Sequence, residues 1–171
     1  HGHHAAFRVP AFRALGGYDT TFAAAEDVDF DHRLIAMKGR IIMAGPWAVH
    51  YLPRATPRTA FQQFLRNGKG RTRFWQKHRL LPAPRQALPI LVGIGWPISL
   101  LLGLAFPFLA LPGLAYLMIL LALSACITRA RPIMTLQVML LALLTHTGFA
   151  AGVIGTFRRP HGRRRQRIAP T

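Results

Sequence analysis

The sequence predicts an α/β part over residues 1–87, an all-α membrane region of two to three hydrophobic helices over residues 88–157, and a basic tail over residues 158–171. The first observation behind this division is that 51% of the 171 residues are hydrophobic, although the formal net charge is +17. A soluble domain rarely combines both properties, because apolar residues belong in a core and so many charges belong on a surface. The second observation is that the two properties separate along the chain, since residues 1–87 are mixed and residues 88–157 are mostly apolar.

Residues 1–87 carry signals for short helices and for a pair of strands. Gly16-Gly17 is typical of a helix C-cap, and Lys38-Gly39 ends a second helix. The segment RIIMAGPWAVHYL, residues 40–52, predicts two short strands on either side of a turn at Gly45-Pro46. The helices predicted on this basis lie around Pro10–Leu15, from Ala25 to Lys38, and over the basic segment Thr59–His78.

Three long apolar runs predict membrane helices. Residues 88–111 contain no charge, and as a helix they would be about 36 Å long, more than a hydrocarbon core of about 30 Å. Residues 112–128 are also uncharged but lie near the lower length limit for a span. Residues 133–157 form the third run, with Gln137 and His146 as polar insertions. We expect His146 to hydrogen-bond to another helix.

Basic clusters flank these runs and predict their orientation. They lie at residues 71–85, at Arg129 and Arg131, and in the tail Arg158–Arg167, which has six Arg in ten residues. Cytoplasmic loops carry an excess of Lys and Arg. We therefore expect the first two runs to form a hairpin with the clusters at both of its ends in the cytoplasm. We expect residues 133–157 to re-enter or to lie in the interface, with their glycines packed on this hairpin and the tail in the cytoplasm.

All five carboxylates of the chain lie within thirteen positions, from Asp19 to Asp31. Acids that only decorate a surface would be scattered, so this segment is the candidate for carboxylate chemistry. Glu26 and Asp27 are neighbours on a predicted helix, so their side chains diverge by about 100° and do not form a coupled pair. Asp31 lies four residues after Asp27 and shares its face. The alternative is a set of solvated acids at a helix start, where they complement the helix dipole.

The basic excess is compatible with nucleic acid, anionic lipid or a phosphorylated substrate, or with solvated charge that only aids solubility. No nucleic-acid-binding module is visible, and the Lys and Arg lie next to the apolar runs. We therefore expect anionic lipid as the partner, at about 1 kcal/mol per basic residue, and no nucleic acid. The single cysteine, Cys126, fits a reducing compartment. No signal peptide follows His1, and we expect the chain to be the C-terminal part of a longer protein.

Several short motifs, taken in order, resemble bacterial family 2 glycosyltransferases. Each motif is weak alone, but their order and spacing are specific and extend over essentially the whole chain, including the opening HGHHA. The motifs are GGYD, EDxDFDHRL, KGRI, YLPRxT, FQQFLRNGKGR and KHR. The resemblance is to the C-terminal half of enzymes of the succinoglycan type of exopolysaccharide synthesis. It implies the C-terminal part of a GT-A nucleotide-sugar transferase fold ahead of the membrane helices.

The resemblance implies a role for each matching residue. Asp27 would be the general base that deprotonates the acceptor hydroxyl in an inverting displacement, with Glu26 beside it as the other catalytic residue of the pair. The segment QFLRN, from Gln63 to Asn67, is similar to the family's Q-x-x-R-W signature and would bind substrate. Arg66 would offer a planar fork to the nucleotide diphosphate, or would be a structural residue next to the membrane. Asn67 replaces the family's Trp, which favours transfer of a single sugar over polymerisation.

The resemblance also implies a divalent metal, Mg²⁺ or Mn²⁺. The family's D-x-D metal motif and its uridine-binding strands precede the matching region, so they would lie upstream of His1 and supply most of the metal ligands. His50 follows a predicted strand where some GT-A enzymes place a metal-ligating His. His3 and His4 are expected to line the acceptor loop rather than to bind zinc, because the matching Cys or carboxylate spacing is missing. Asp19 is predicted to stabilise a turn.

These features together predict a membrane-anchored inverting glycosyltransferase of the bacterial inner membrane. It would move a sugar from a nucleotide-sugar donor to a lipid-linked saccharide acceptor, with several membrane spans and a cytoplasmic catalytic part. Because half of the site would lie upstream, the chain alone is expected to be inactive. The alternative is a non-catalytic membrane adaptor that binds anionic lipid through its basic face.

Overall fold

The regular elements of the described residues are all helices. The computed structural model describes residues 6–42, 45 and 56–157. Its α-helices, in chain order, are α1 (Val9–Ala14), α2 (Glu26–Ala36), α3 (Pro57–His78), α4 (Pro84–Gly103), α5 (Leu111–Thr128) and α6 (Pro132–Phe157). A 3₁₀ turn at Pro107–Ala110 joins α4 to α5.

The prediction of an α/β part followed by an all-α region is confirmed only for its helices. Residues 6–42, 45 and 56–157 contain no strand. Most of the segment predicted as two strands, residues 40–52, lies outside the described residues, and its positions 40–42 and 45 are not in a strand. A strand needs a second strand beside it to hydrogen-bond its backbone groups. The elements formed by the described residues are helices and cannot serve as that partner.

The predicted helix stops lie where the sequence places them. Gly16 and Gly17 have φ of +73° and +69°, and the Gly17 amide donates to the Phe12 carbonyl at 3.0 Å, which satisfies a carbonyl at the end of α1. Lys38 also has a left-handed φ, of 60°, after the end of α2. The amide of Gly39 then donates back to the last turn of α2. The predicted basic helix is α3, which starts two residues before the expected Thr59.

Helix α3 packs along the last turns of α6 with the two backbones close together. A Cβ atom on Gly68 would collide with the Phe149 carbonyl, and one on Gly152 would collide with the Leu65 carbonyl. Small residues at a helix interface permit this approach. The sequence analysis expected the glycines of α6 to pack on the first two apolar runs, and that prediction is wrong for Gly148 and Gly152. They face α3 instead, because the apolar side of this amphipathic helix covers them.

The first two apolar runs divide at a different point from the one predicted. Three helical segments are long and apolar enough to cross a membrane: Pro84–Gly103, Pro107–Thr128 and Pro132–Phe157. The break falls at residues 104–106 rather than after residue 111. Phe106 is extended, with φ −132° and ψ 94°, because a residue before proline is pushed away from the helical region. The second segment is therefore 22 residues long and sufficient for a span.

Helices α5 and α6 form a long antiparallel pair. The Tyr116 hydroxyl and His146 Nδ1 are 2.8 Å apart near one end of the pair, and the Thr128 and Thr135 hydroxyls are 2.6 Å apart at the other. The expectation that His146 bonds to another helix is confirmed. Residues 132–157 form one continuous helix of 26 residues, which a re-entrant loop would not, so that alternative is wrong. A position of α6 in the interface and a cytoplasmic tail stay predictions.

Candidate active site at the start of helix α2

A left-handed residue precedes the Glu-Asp pair. Ala25 has φ 67° and ψ 21° at the N-cap of α2, a conformation that costs a residue with a Cβ atom about 1 to 2 kcal/mol. Helix α3 contacts this turn closely, since a Cβ atom on Gly70 would collide with the Ala24 carbonyl. Such backbone strain persists only where surrounding structure fixes it, and it concentrates at functional sites. The turn therefore places Glu26 and Asp27 at a defined position above α3.

The two members of the pair differ in environment, as the sequence predicts for neighbours on a helix. Glu26 is exposed and Asp27 is half-buried. Asp27 Oδ1 accepts a hydrogen bond from the Val28 amide at 2.8 Å. Among the described residues no basic side chain forms a hydrogen bond or ion pair with Asp27. Its carboxylate is thus not used in holding the helices together.

Tyr18 lies beside the acidic face of α2. Burial raises the pKa of its phenol, and the negative charges of Asp27, Asp31 and Glu26 raise the pKa further. The ring of Tyr18 packs edge-on against Phe30, which is fully buried. This contact fixes the ring at the edge of the carboxylates. A hydroxyl and an aromatic face at such a place suit a sugar, and the sequence analysis did not identify Tyr18.

Asp29 has a structural role that the sequence analysis also missed. Its side chain is 0% exposed and accepts three bonds, from Arg33 Nε at 2.9 Å, Lys77 Nζ at 2.7 Å and His78 Nε2 at 2.8 Å. Burial alone would raise the pKa of Asp29, but the hydrogen bonds from Lys77 and His78 and the nearby positive charges hold it below its ordinary value. The i, i+4 spacing of Asp29 and Arg33 was the only signal in the sequence, since Lys77 and His78 lie on another helix.

Asp19 forms the predicted turn and a second ion pair. Its Oδ1 accepts bonds from the Thr21 amide at 2.9 Å and the Thr21 hydroxyl at 2.7 Å, and its Oδ2 accepts one from Lys77 at 2.8 Å. Burial acts to raise the pKa of Asp19, but the bonds from Lys77 and Thr21 lower it to about 2. Two of the five carboxylates therefore hold α2, α3 and the preceding loop together.

The chain contains the letters D-x-D twice, in the run from Asp27 to Asp31, but the geometry does not fit a metal chelate. Carboxylates two residues apart on a helix diverge by about 160°, and the Asp29 oxygens are occupied by basic groups. In residues 6–42, 45 and 56–157 no three His, Cys, Asp or Glu side chains converge on a possible metal position. His50 lies outside the described residues, so its role as a metal ligand stays a prediction.

A cavity of about 490 Å³ opens between α2, α3 and α4. Burial lowers the pKa of the Arg71 guanidinium that lines it, the charge of Asp27 raises that pKa, and the charge of Arg85 lowers it. These effects place Asp27 and Arg85 close to Arg71. The residues that line the cavity are Val28, Asp31, Arg71, Arg85 and Gln86.

The predicted substrate-binding residues of α3 do not line this cavity. Gln63 and Asn67 are half-buried and precede Arg71 by eight and four residues, so they share its side of the helix. Arg66 is exposed, and its side chain leaves α3 about 140° from that of Arg71. The i+4 continuation from Asn67 was the signal that could have identified Arg71. His3 and His4 lie outside the described residues.

Comparisons with known proteins agree with the resemblance read from the motifs. The chain is 44% identical over 92 residues to the succinoglycan biosynthesis protein ExoA of Rhizobium meliloti (strain 1021), an alignment that covers 54% of this chain and 28% of that protein. The chain therefore matches less than a third of the length of this relative. No solved structure matches. The model of the glycosyl transferase family group 2 matches residues 1–147, and the chain therefore belongs to that family.

Proposed function

We propose that this chain is the acceptor-side part of a membrane-anchored inverting glycosyltransferase of exopolysaccharide synthesis. It would act at the cytoplasmic face of the membrane on a nucleotide-sugar donor and a lipid-linked saccharide acceptor. Membership of the family supports the reaction class, and the relative named for succinoglycan biosynthesis supports the pathway class. Three helices with the length and composition of membrane spans support the anchoring.

The observation that carries the proposal is the contrast between Asp27 and its acidic neighbours. Asp19 and Asp29 are each bonded to basic side chains, whereas Asp27 has no such partner among the described residues and lies beside Tyr18 and Arg71. A carboxylate that is not needed for packing, held half-buried on a fixed turn, suits a general base.

The proposed reaction is a single displacement. The Asp27 carboxylate takes the proton of the acceptor hydroxyl, and the hydroxyl oxygen bonds to the anomeric carbon of the donor sugar. The bond from that carbon to the nucleotide diphosphate breaks on the opposite face, and the diphosphate leaves with the electron pair. Asn67, in place of the family's Trp, supports transfer of one sugar rather than polymerisation.

A divalent cation, Mg²⁺ or Mn²⁺, would supply charge stabilisation for the leaving diphosphate. The described residues do not assemble its ligands. We therefore expect residues 1–171 alone to transfer sugar poorly or not at all, and we expect the remaining ligands in the part of the relative that this chain does not match.

The test is replacement of Asp27 by Asn in the full-length membrane enzyme. Turnover should fall by about 10² to 10⁴-fold, the range for loss of a general base, while donor affinity stays close to that of the wild type. Glu26→Gln is the matched control, because Glu26 is exposed and one residue away, and it should keep most of the activity. Near-normal turnover in Asp27→Asn, with loss in Glu26→Gln or Asp31→Asn, would reverse the assignment.

A further inference from the structure

Two guanidinium groups share the cavity between α2, α3 and α4. Arg71 comes from the middle of α3 and Arg85 from the first turn of α4, and both line the cavity together with Val28, Asp31 and Gln86. Arg71 is half-buried and Arg85 is exposed at the cavity mouth. Within the part of the chain that the structure describes, neither guanidinium has a hydrogen bond or an ion pair.

Among the described residues, neither member of this pair of cations forms the direct ion pair that other basic residues of the site form with a carboxylate. Arg33, Lys77 and His78 surround the buried carboxylate of Asp29, so their charges are compensated. Burial disfavours the charged form of Arg71 most strongly, the charge of Asp27 favours it, and the charge of Arg85 disfavours it. Arg71 is partly withdrawn from water, and both guanidinium groups line the same cavity. An anion that accepts from both would relieve the repulsion.

The position of the cavity indicates where such an anion comes from. Arg85 is the second residue of α4, whose 20 residues have the composition of a membrane segment. The connection before it exposes apolar side chains, with Leu81 90% exposed. Basic residues directly ahead of an apolar helix lie at the depth of lipid headgroups. The cavity therefore opens at the boundary between water and lipid.

From this geometry we propose that Arg71 and Arg85 bind the phosphate or diphosphate group of a lipid-linked acceptor. Guanidinium groups present paired donors that match phosphate oxygens, and two of them match a diphosphate. The acceptor would then be anchored with its lipid in the adjacent bilayer and its saccharide toward Asp27, whose charge acts on Arg71. This inference rests on the proposed function and deepens it by naming how the acceptor is held. A free nucleoside diphosphate has the same chemistry, and the experiment separates the two sources.

The test compares Arg71→Lys, Arg71→Ala, Arg85→Lys and Arg85→Ala in the full-length enzyme, with Arg58→Ala as the matched control. Arg58 is exposed in the first turn of α3, away from the cavity, so its loss changes the net charge equally. In detergent micelles, binding of a short-chain prenyl diphosphate should weaken about ten- to a hundredfold in both Ala variants and less in the Lys variants. Binding of uridine diphosphate should not change, and Arg58→Ala should bind both like the wild type.

Two results would overturn the proposal. Weakened binding of uridine diphosphate with normal binding of the prenyl diphosphate would assign the pair to the donor. Unchanged prenyl diphosphate binding in the Lys and Ala variants at both positions would show that Arg71 and Arg85 do not bind this group. The Lys variants keep the positive charge, so they are less prone to misfold than the Ala variants. Size-exclusion chromatography detects any variant that does misfold. Asp27→Asn should lose transfer yet keep prenyl diphosphate binding, so failure of the base assignment and failure of this site give different patterns.

Discussion

Asp27 and Asp29 lie two positions apart on one helix and have different environments. Asp29 is enclosed by Arg33, Lys77 and His78, whereas Asp27 has no basic partner of this kind among the described residues and acts on Arg71 only through its charge. A helix turns side chains two residues apart to nearly opposite sides. The acidic cluster predicts chemistry at this segment, but it does not tell which carboxylate is structural, because His78 is 49 residues away in the sequence.

Asp29→Asn should destabilise the protein at neutral pH by about 3 kcal/mol, because it leaves three basic groups around a neutral amide. The pKa of Asp29 is lowered in the folded state, so its contribution is fully present above its ordinary value near 3.8 and is lost as the pH falls through the lowered value. The difference between wild type and Asp29→Asn should therefore be largest near pH 7 and should shrink below about pH 4. Thermal unfolding of the detergent-solubilised enzyme across this range measures both effects.

Glu26→Gln is the control for this measurement, since Glu26 is exposed and on the same helix. Its thermal midpoint should stay within the experimental error of the wild type, because exposed substitutions away from special contacts change stability little. An Asp29→Asn variant that unfolds like Glu26→Gln would contradict the structural role of Asp29. Normal stability with lost transfer would instead place Asp29 in the reaction.

At the scale of elements, the contact between α3 and the turn before α2 controls where Asp27 lies. Gly70 allows α3 to approach the Ala24 carbonyl closer than a Cβ atom would permit. The next residue of the turn, Ala25, is left-handed. A small shift of α3 would thus be transmitted to the first turn of α2 and to its carboxylates.

Gly70→Ala should lower turnover by about tenfold or more, because displacement of a catalytic group by about 1 Å can cost up to 10²-fold. Replacing glycine by alanine within a helix normally stabilises the fold by about 0.5 to 1 kcal/mol. A loss of turnover in Gly70→Ala would therefore not be explained by a weaker helix. Gly155→Ala is the matched control, since a Cβ atom there would meet nothing within 4 Å. Steady-state kinetics of both variants in membranes provide the test, and equal turnover in the two would show that the turn tolerates the added methyl group.

The sequence was sufficient for those elements whose signals are local. Gly16-Gly17 predicts the end of α1, because left-handed residues at helix ends favour glycine. Lys38-Gly39 predicts the end of α2, although the left-handed residue there is Lys38. It was not sufficient where the outcome depends on distant contacts. The glycines of α6 predict a close helix partner but not that this partner is α3, and the cavity between Arg71 and Arg85 depends on three helices meeting.

For the whole molecule, the arrangement of α4 bears on how the chain lies in the membrane. The start of α4 packs near the last turns of α6, where Ile90 lies against the cluster of Phe74, Trp75 and Val153. The end of α4 lies beside the start of α5, since a Cβ atom on Gly103 would be 2.5 Å from the side chain of Ala110, directly before α5. In the antiparallel pair, the start of α5 is at the same end as the last turns of α6. Helix α4 therefore runs across one end of the antiparallel α5–α6 pair rather than alongside it.

This arrangement accounts for the charge distribution better than three crossings do. With α5 and α6 as the crossing pair and α4 in the interface, residues 71–85 and the tail Arg158–Arg167 lie on one side. Only Arg129 and Arg131, in the connection from α5 to α6, lie on the other. The larger basic clusters then share the cytoplasmic side, as the positive-inside bias favours. The sequence-based expectations placed Arg129 and Arg131 in the cytoplasm and residues 133–157 in a re-entrant or interfacial position. We propose instead that the two arginines lie on the opposite side and that α6 crosses the membrane.

We predict that Ala130 is outside the cytoplasm and that both Ala105 and Thr171 are inside. The chain has one cysteine, so a Cys126→Ser background permits single-cysteine labelling with a membrane-impermeant maleimide in spheroplasts. Ala130→Cys should react before lysis, whereas Ala105→Cys and Thr171→Cys should react only after lysis. Three crossings that start in the cytoplasm would give the reverse pattern at every one of these positions, because α4 would then carry Ala105 across and α5 would return Ala130 to the cytoplasm.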